Sequence, residues 1–296
     1  WKYRDYVIRA FNQDKPYNRF VLEQIAGDEL PDVDNDSLIA TGFYRLGVWD
    51  DEPDDKRLAE FDGLDDIVKT TSETFMGLTV GCARCHDHMF DPISQQDYYQ
   101  MLSFFRNVRY YDKPKYEWDS ATYSPLISPL EVFNWKNKKN KQKNAKPPWD
   151  GHEFAMTVRE HGPIAKDTHL LIRGNAGRPS KKVEPEFLKI LASSKPKIPK
   201  SPNPFTTGRR LALAKWITNS QHPLTSRVMI NRIWQFHFGR GLVATPNDFG
   251  KAGMLCSNEA LLNWLAAEFI NNGWSIKHMH RVIMSSEVYR RSSWQN

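Results

Sequence analysis

The sequence predicts a mostly α fold: a helical N-terminal domain, a helical C-terminal domain and a small β element. Three observations predict it. Apolar residues recur at helical spacing in both end regions, with caps and breakers around them. Only one short run, His169 to Arg173, has the character of a strand, and Gly174 and Asn175 follow it as a turn pair. Hydrophobic residues make up 40% of the 296, and ten Trp and sixteen Phe supply bulk for a folded core.

The elements follow in order. Tyr3, Tyr6, Val7, Ala10 and Phe11 mark a first helix, which Asp14, Lys15 and Pro16 interrupt before Phe20 and Ile25 mark a second. Residues 31–62 are acidic and read as loop, with Gly42 to Gly47 as a short extended piece. Asp65 to Met76 reads as a helix leading to Gly77 and Gly81. Ser94 offers an N-cap with Asp97 three residues on, and Tyr98, Met101, Leu102 and Phe105 form the apolar stripe behind it. Residues from about Asp112 to Asp150 lack a period and are rich in Pro, Lys, Asn and aromatics, so they read as an inter-domain connection. Residues 195–207 hold four Pro and read as a second stiff linker. Four helices close the chain: Leu211 to Ile217, Pro223 to Phe238, Glu259 to Ile270 and Ile276 to Val288. Ser257 is the expected cap of the third and Gly273 its end. The expected domains are 1–112, a Lys/Pro-rich linker or insertion over 113–168, and 169–296.

Composition excludes several classes. The net charge is +6, but Lys136 to Lys146 holds six Lys and no acid, so the remainder is formally neutral. A local lysine tract is not a nucleic-acid face. No run of eighteen apolar residues is present, so no membrane span is expected. Three Cys exclude a disulfide scaffold, and Cys256 stands apart as a small hydrophobe or idle thiol. The chain starts at Trp1 without a signal-peptide pattern, and reads as an internal piece of a longer precursor.

The chemistry lies in Gly81-Cys82-Ala83-Arg84-Cys85-His86-Asp87-His88. Cys-x-x-Cys-His is the attachment sequence of c-type haem. Two thiols one turn apart match the two vinyl groups on one edge of the porphyrin, and the following His points an imidazole at the iron. In this composition chance produces the pattern roughly once in a thousand sequences. One covalent haem c is therefore expected, held by Cys82 and Cys85 with His86 as axial iron ligand. Two other readings stay open. Half a zinc site would need two more ligands, of which only His86 and His88 are close in sequence. A thiol–disulfide pair lacks a surrounding βαβ pattern.

Sequence does not choose the second axial ligand; His280, His237, Met101 and His88 are the candidates. His88 is also a candidate hydrogen-bonding partner within the turn. Arg84 and Arg106 are candidate partners for haem propionates. The acidic stretch from Trp49 to Asp55 is a weak candidate for calcium. Asp32, Asp34 and Asp36 begin like an EF-hand loop, but Ser37 and Phe43 stand where that loop needs Gly and Glu.

Leu78 to His88, continuing through Phe90-Asp91-Pro92-Ile93-Ser94 to Asp97-Tyr98-Tyr99, resembles a domain of large planctomycete cytochrome-type proteins. Ala40-Thr41-Gly42-Phe43 and Trp49 to Pro53 fit the same domain. Asn231 to Trp234, His237 to Leu242, Thr245 to Gly250, Gly273 to Ser275 and His280 to Met284 resemble the second domain of those proteins. The chain departs from the pattern at Met89, where a basic residue is usual, and at Leu255-Cys256-Ser257, where a Pro-Ser-His-type turn is common. The resemblance implies a bacterial protein exported to the periplasm or cell surface, and a further cytochrome-like domain in the same precursor. The family has no assigned reaction. Three functions are therefore expected to compete: electron transfer to a redox partner protein; a redox enzyme or accessory subunit with an open haem site acting on an exported substrate; and an oligomeric or filament component with haem as a conduit.

Overall fold

A computed structural model describes residues 1–48, 50, 52–110, 120, 122–139, 146–192 and 194–291. Trp49 and Asp51 of the acidic stretch, Lys141 and Lys143 of the lysine tract, and the expected boundary at Asp112 lie outside the described residues. Helices dominate, with two small antiparallel sheets, as the mostly α reading expects.

Helix α1 (Lys2–Asn12) ends where Asp14 takes a left-handed φ of 54°, and α2 (Tyr17–Ala26) starts after Pro16. The acidic stretch that follows is loop only in part, at residues 31–34 and over the described residues of 46–55. Asp34 and Ser37 form a reciprocal capping box that starts α3 (Asn35–Ala40). The expected extended piece is instead a 3₁₀ turn, Thr41–Arg45. Tertiary contact decides this: Tyr44 is buried and its hydroxyl donates to the Ile25 carbonyl at 2.7 Å. Asp55 then caps α4 (Lys56–Thr71), accepting from the Arg57 and Leu58 amides. The helix therefore starts nine residues before the Asp65 read from sequence. It continues into one π-helical turn, Ser72–Met76, and stops at Gly77 in the left-handed conformation. Helix α5 (Gln95–Leu102) carries the expected Ser94–Asp97 capping box.

The middle of the chain is more ordered than its composition suggests. Strand β1 (Tyr123–Pro125) pairs with β2 (Phe154–Met156), and α6 (Pro129–Lys139) lies between them in sequence. Glu131 in its first turn and three Lys in its last complement the helix dipole. Strand β3 (Thr168–Leu171) pairs with β4 (Pro179–Val183) through the turn that contains Gly174 and Asn175. The last third contains α7 (Arg209–Ile217), α8 (Thr225–Phe238), α9 (Glu259–Asn271), α10 (Ile276–Ser285) and α11 (Glu287–Arg290). Asn258, not Ser257, caps α9 through the Leu261 amide, while the Ser257 hydroxyl donates to the Leu242 carbonyl.

The main apolar core is continuous between the two ends of the chain. Val21 and Ile25 of α2, Leu64 and Val68 of α4 and Tyr98 of α5 share it with Leu213 of α7, Ile230 of α8 and Phe269 of α9. A buried charge cluster pins the same junction. Arg210 is fully buried, and its guanidinium meets Asp28 at 2.6 Å, Glu160 at 2.8 Å and Glu29 at 3.3 Å. Glu29 is pushed up to about 8, first by burial and then by Glu160 and Asp28, against the opposing pull of Arg210.

Candidate haem-attachment site

Cys82 and Cys85 lie on and just after a 3₁₀ turn, Val80–Arg84, and both are exposed. Ala83 between them is buried, so the turn rests on the core through one small side chain and presents its thiols outward. Two residues brace its Arg84 carbonyl by neutral hydrogen bonds. The Tyr99 hydroxyl and the Gln95 side-chain amide both donate to the Arg84 carbonyl, at 3.1 and 2.8 Å. The same Gln95 nitrogen also reaches the Leu171 carbonyl of β3 at 3.0 Å. The β3–β4 turn thus lies beside Cys85. A Cβ at Gly174 would stand 2.7 Å from Cys85 Sγ, and Gly174 also has a φ of +70°, so only glycine suits this position.

His86 is exposed, and its Nδ1 donates to the Asp87 carbonyl at 2.6 Å. A carbonyl only accepts, so Nδ1 carries the proton and Nε2 keeps the lone pair a metal needs. His88 is in the opposite situation. It is buried, and its Nδ1 accepts from the Phe90 and Asp91 amides at 3.2 and 2.9 Å. Its Nε2 therefore bears the proton and donates to Thr79 Oγ1 at 3.0 Å. His88 organises the turn from inside, and both its ring nitrogens are used.

The other candidates are dispersed. Met101 is buried in the main core on α5. His237 of α8 and His280 of α10 bond each other, Nε2 to Nδ1 at 2.7 Å, with the Tyr289 ring against His237. Arg84 turns away from the thiols to Asp62 at 2.5 Å and Asp65 at 3.2 Å. Burial opposes its charge, but the two carboxylates outweigh that and raise its pKa. Arg106 likewise meets Glu60 at 2.8 Å. The charges of both arginines are thus met by carboxylates of this chain, and no observation carries the propionate role forward. The sequence reading missed Gln95, Tyr99 and Gly174. Their signal is contact across 11, 15 and about 90 positions, which no local pattern encodes.

A cleft of about 450 Å³ borders Arg84, lined by Asp62, Asp65, Asp66, Lys69 and Tyr110 among others. Within the acidic stretch, Asp55 is spent on its helix cap and Asp50 accepts from the Glu52 amide. Among the described residues no three His, Cys, Asp or Glu side chains gather to hold a metal ion, so the geometry lends nothing to a zinc or calcium reading. Also among the described residues, no helix is long and apolar enough to cross a membrane.

Two family models match separate parts of the chain. Residues 1–110 match the PSCyt2 family model, described as a protein of unknown function (DUF1549). Residues 209–296 match the PSD1 model, described as a protein of unknown function (DUF1553). These are the planctomycete cytochrome-type domains. The candidate turn lies in the PSCyt2-type region, whereas His237 and His280 lie in the PSD1-type region. Gly174 belongs to the stretch that neither model covers. No curated protein and no solved structure matches the chain.

Proposed function

We propose that Cys82 and Cys85 hold one haem c through two thioether bonds, with His86 as axial ligand, and that the protein passes electrons to or from a partner protein outside the cytoplasm. One observation carries the reading. Two exposed thiols share a single turn, followed by an imidazole whose proton is fixed on Nδ1 and whose Nε2 is left to ligate. The donor set fits the group. Each thiol is reachable, Gly174 leaves Cys85 Sγ room, and the turn is braced from behind by Gln95 and Tyr99. When bound, haem supplies one-electron chemistry, and the protein supplies placement and ligand choice. Attachment of such haem follows export in bacteria, which supports the periplasm or cell surface.

A second reading has its own support. His88 uses both ring nitrogens, Met101 is enclosed in the core, and His237 and His280 are paired with each other through one nitrogen apiece. An open second axial position favours a redox enzyme or accessory subunit acting on an exported substrate. The test is expression with export and haem-attachment machinery, haem staining on a denaturing gel, and visible spectra of both redox states. A stained band and a sharp reduced α band are expected, and Cys82→Ala or Cys85→Ala should weaken or abolish the stain. Carbon monoxide binding to the reduced protein separates the open-site reading from the closed one. A colourless wild-type protein would end the proposal.

A further inference from the structure

The segment that carries the candidate haem turn is gripped at both of its ends by one loop of the PSD1-type region. At the N-terminal end, the Gly77 carbonyl accepts the Phe249 amide at 2.7 Å. A Cβ at Gly77 would meet the Phe249 ring at 2.8 Å and Val228 of α8 at 3.0 Å, so the two regions touch there without a gap. Just upstream, Arg232 of α8 donates to the Glu73 carbonyl at 2.9 Å and to the Thr74 carbonyl, capping the π-helical turn. Arg232 also donates to Asn247 Oδ1 at 3.0 Å, which ties the cap to the same loop.

At the C-terminal end, Asp91 is the contact. Its Oδ1 accepts the Lys251 amide at 2.7 Å, and its own amide donates to His88 Nδ1 at 2.9 Å. Asp91 is 6% exposed, and its Oδ2 has no hydrogen-bond partner. That oxygen lies 3.7 Å from His88 Nε2. A Cβ at Gly250 would stand 2.3 Å from Asp91 Oδ2, so the loop approaches as closely as a glycine allows. A buried carboxylate with an orphan oxygen is costly. Its place beside His88 accounts for keeping it. The negative charge favours the proton on His88 Nε2, the tautomer that leaves Nδ1 to accept the Phe90 and Asp91 amides and so shapes the bend after His86.

We infer that the loop at 245–251 is a positioning device for the Cys82–His86 turn, acting through Asp91 and His88, so that the PSD1-type region sets how His86 is presented. Asp91 is a positioning residue and touches no reacting group. The inference rests on the haem reading for its purpose but not for its geometry, so the experiment has one arm that needs no haem.

In that arm the haem-free 296-residue chain is compared with Gly250→Ala and Asp91→Ala by hydrogen exchange over residues 82–93 and by reaction of Cys82 and Cys85 with a disulfide reagent. Both variants should raise exchange in this segment at least tenfold, and thiol reaction severalfold, while exchange in α2, α4 and α9 stays unchanged. The double variant should be no looser than the worse single one, because alanine at 91 removes the group that the new methyl strikes. In the haem-loaded arm, Asp91→Asn keeps an Oδ1 acceptor but removes the charge. It should shift the midpoint potential measurably with no change in haem stoichiometry, which a merely structural aspartate would not do. Exchange over 82–93 that is unaltered in both single variants overturns the inference. An unaltered potential in Asp91→Asn overturns the role of its charge. A wild-type chain that takes no haem but shows the exchange effect ends the proposed function and leaves the clamp standing.

Discussion

Cys82, Cys85 and His86 stand in solvent on a turn held by neutral hydrogen bonds to the Arg84 carbonyl and by partly exposed ion pairs of the Arg84 side chain, whereas Arg210 lies fully buried among Asp28, Glu29 and Glu160. The two regions solve different problems. The turn leaves its thiols and an imidazole exposed, little apolar surface is spent on it, and bracing comes from Gln95, Tyr99, the β3–β4 turn and the Arg84 ion pairs. The Arg210 junction must hold α2 and α7 together with the middle segment that carries Glu160. It does so with charges that are tolerable only because all are present together. The exposed thiols therefore sit where loss of a side chain costs little stability, and cohesion sits where the loss of one costs much.

That contrast is sharpest for Arg210→Met, which leaves buried Asp28 and Glu160, with the acid Glu29 beside them, without their cation. A loss of about 3–5 kcal/mol is expected from breaking a buried pair on one side, measured by urea denaturation. A loss below about 1 kcal/mol would place the cluster among solvent-screened pairs and break the comparison.

The pH dependence comes next in size. Glu29 has a folded pKa raised above its unfolded value, so the folded state holds a proton that the unfolded state releases between its ordinary value of 4.5 and about 8. The Glu29 contribution is complete below the lower value and is lost as pH climbs through the upper one. His222 has the opposite sign. Burial lowers it from 6.5 to about 4, so its contribution is complete above 6.5 and is lost as pH falls through about 4. Denaturation midpoints should decline on both flanks, and Glu29→Gln should flatten the alkaline flank alone. An alkaline flank unchanged in Glu29→Gln would assign that proton elsewhere.

Gln95→Ala removes a donor shared by two carbonyls. It should cost about 1 kcal/mol and detach the turn from β3, read as faster reaction of Cys85 with a disulfide reagent. A variant as slow as wild type would shift the bracing role to Tyr99. The smallest effect belongs to the thiols themselves. In the haem-free protein Cys82→Ala and Cys85→Ala should change stability by less than about 0.5 kcal/mol, as exposed positions do, and so should Met89→Lys, since Met89 is 77% exposed. A larger loss in a cysteine variant would mean that the turn is part of the cohesive structure after all.

Much of this was legible in the sequence, and the gaps have a common cause. The Ser94–Asp97 cap, the break at Pro16, the turn at Gly174 and the helices after Arg209 follow from short-range patterns that act within one or two turns. The loop assigned to residues 31–62 held only in part, because acidic residues there act as caps for α3 and α4, a role that their number does not reveal. The extended piece at Gly42 to Gly47 failed because a buried Tyr44 and its bond to Ile25 favour a coiled backbone over a strand with no neighbour to pair with.

The sequence by itself determined the mostly α fold and the Cys-x-x-Cys-His order, because helical periodicity and a five-residue spacing are local properties of the chain. Only the tertiary structure decided that His88 is buried with its Nε2 on Thr79, nine positions back, while His86 stays exposed. It also decided that Arg84 answers to Asp62 and Asp65, and that Arg210 joins carboxylates 50 and more positions away. Those outcomes depend on which distant groups burial brings within hydrogen-bond reach, and the energy of a buried polar group is set by its partners rather than by its neighbours in sequence.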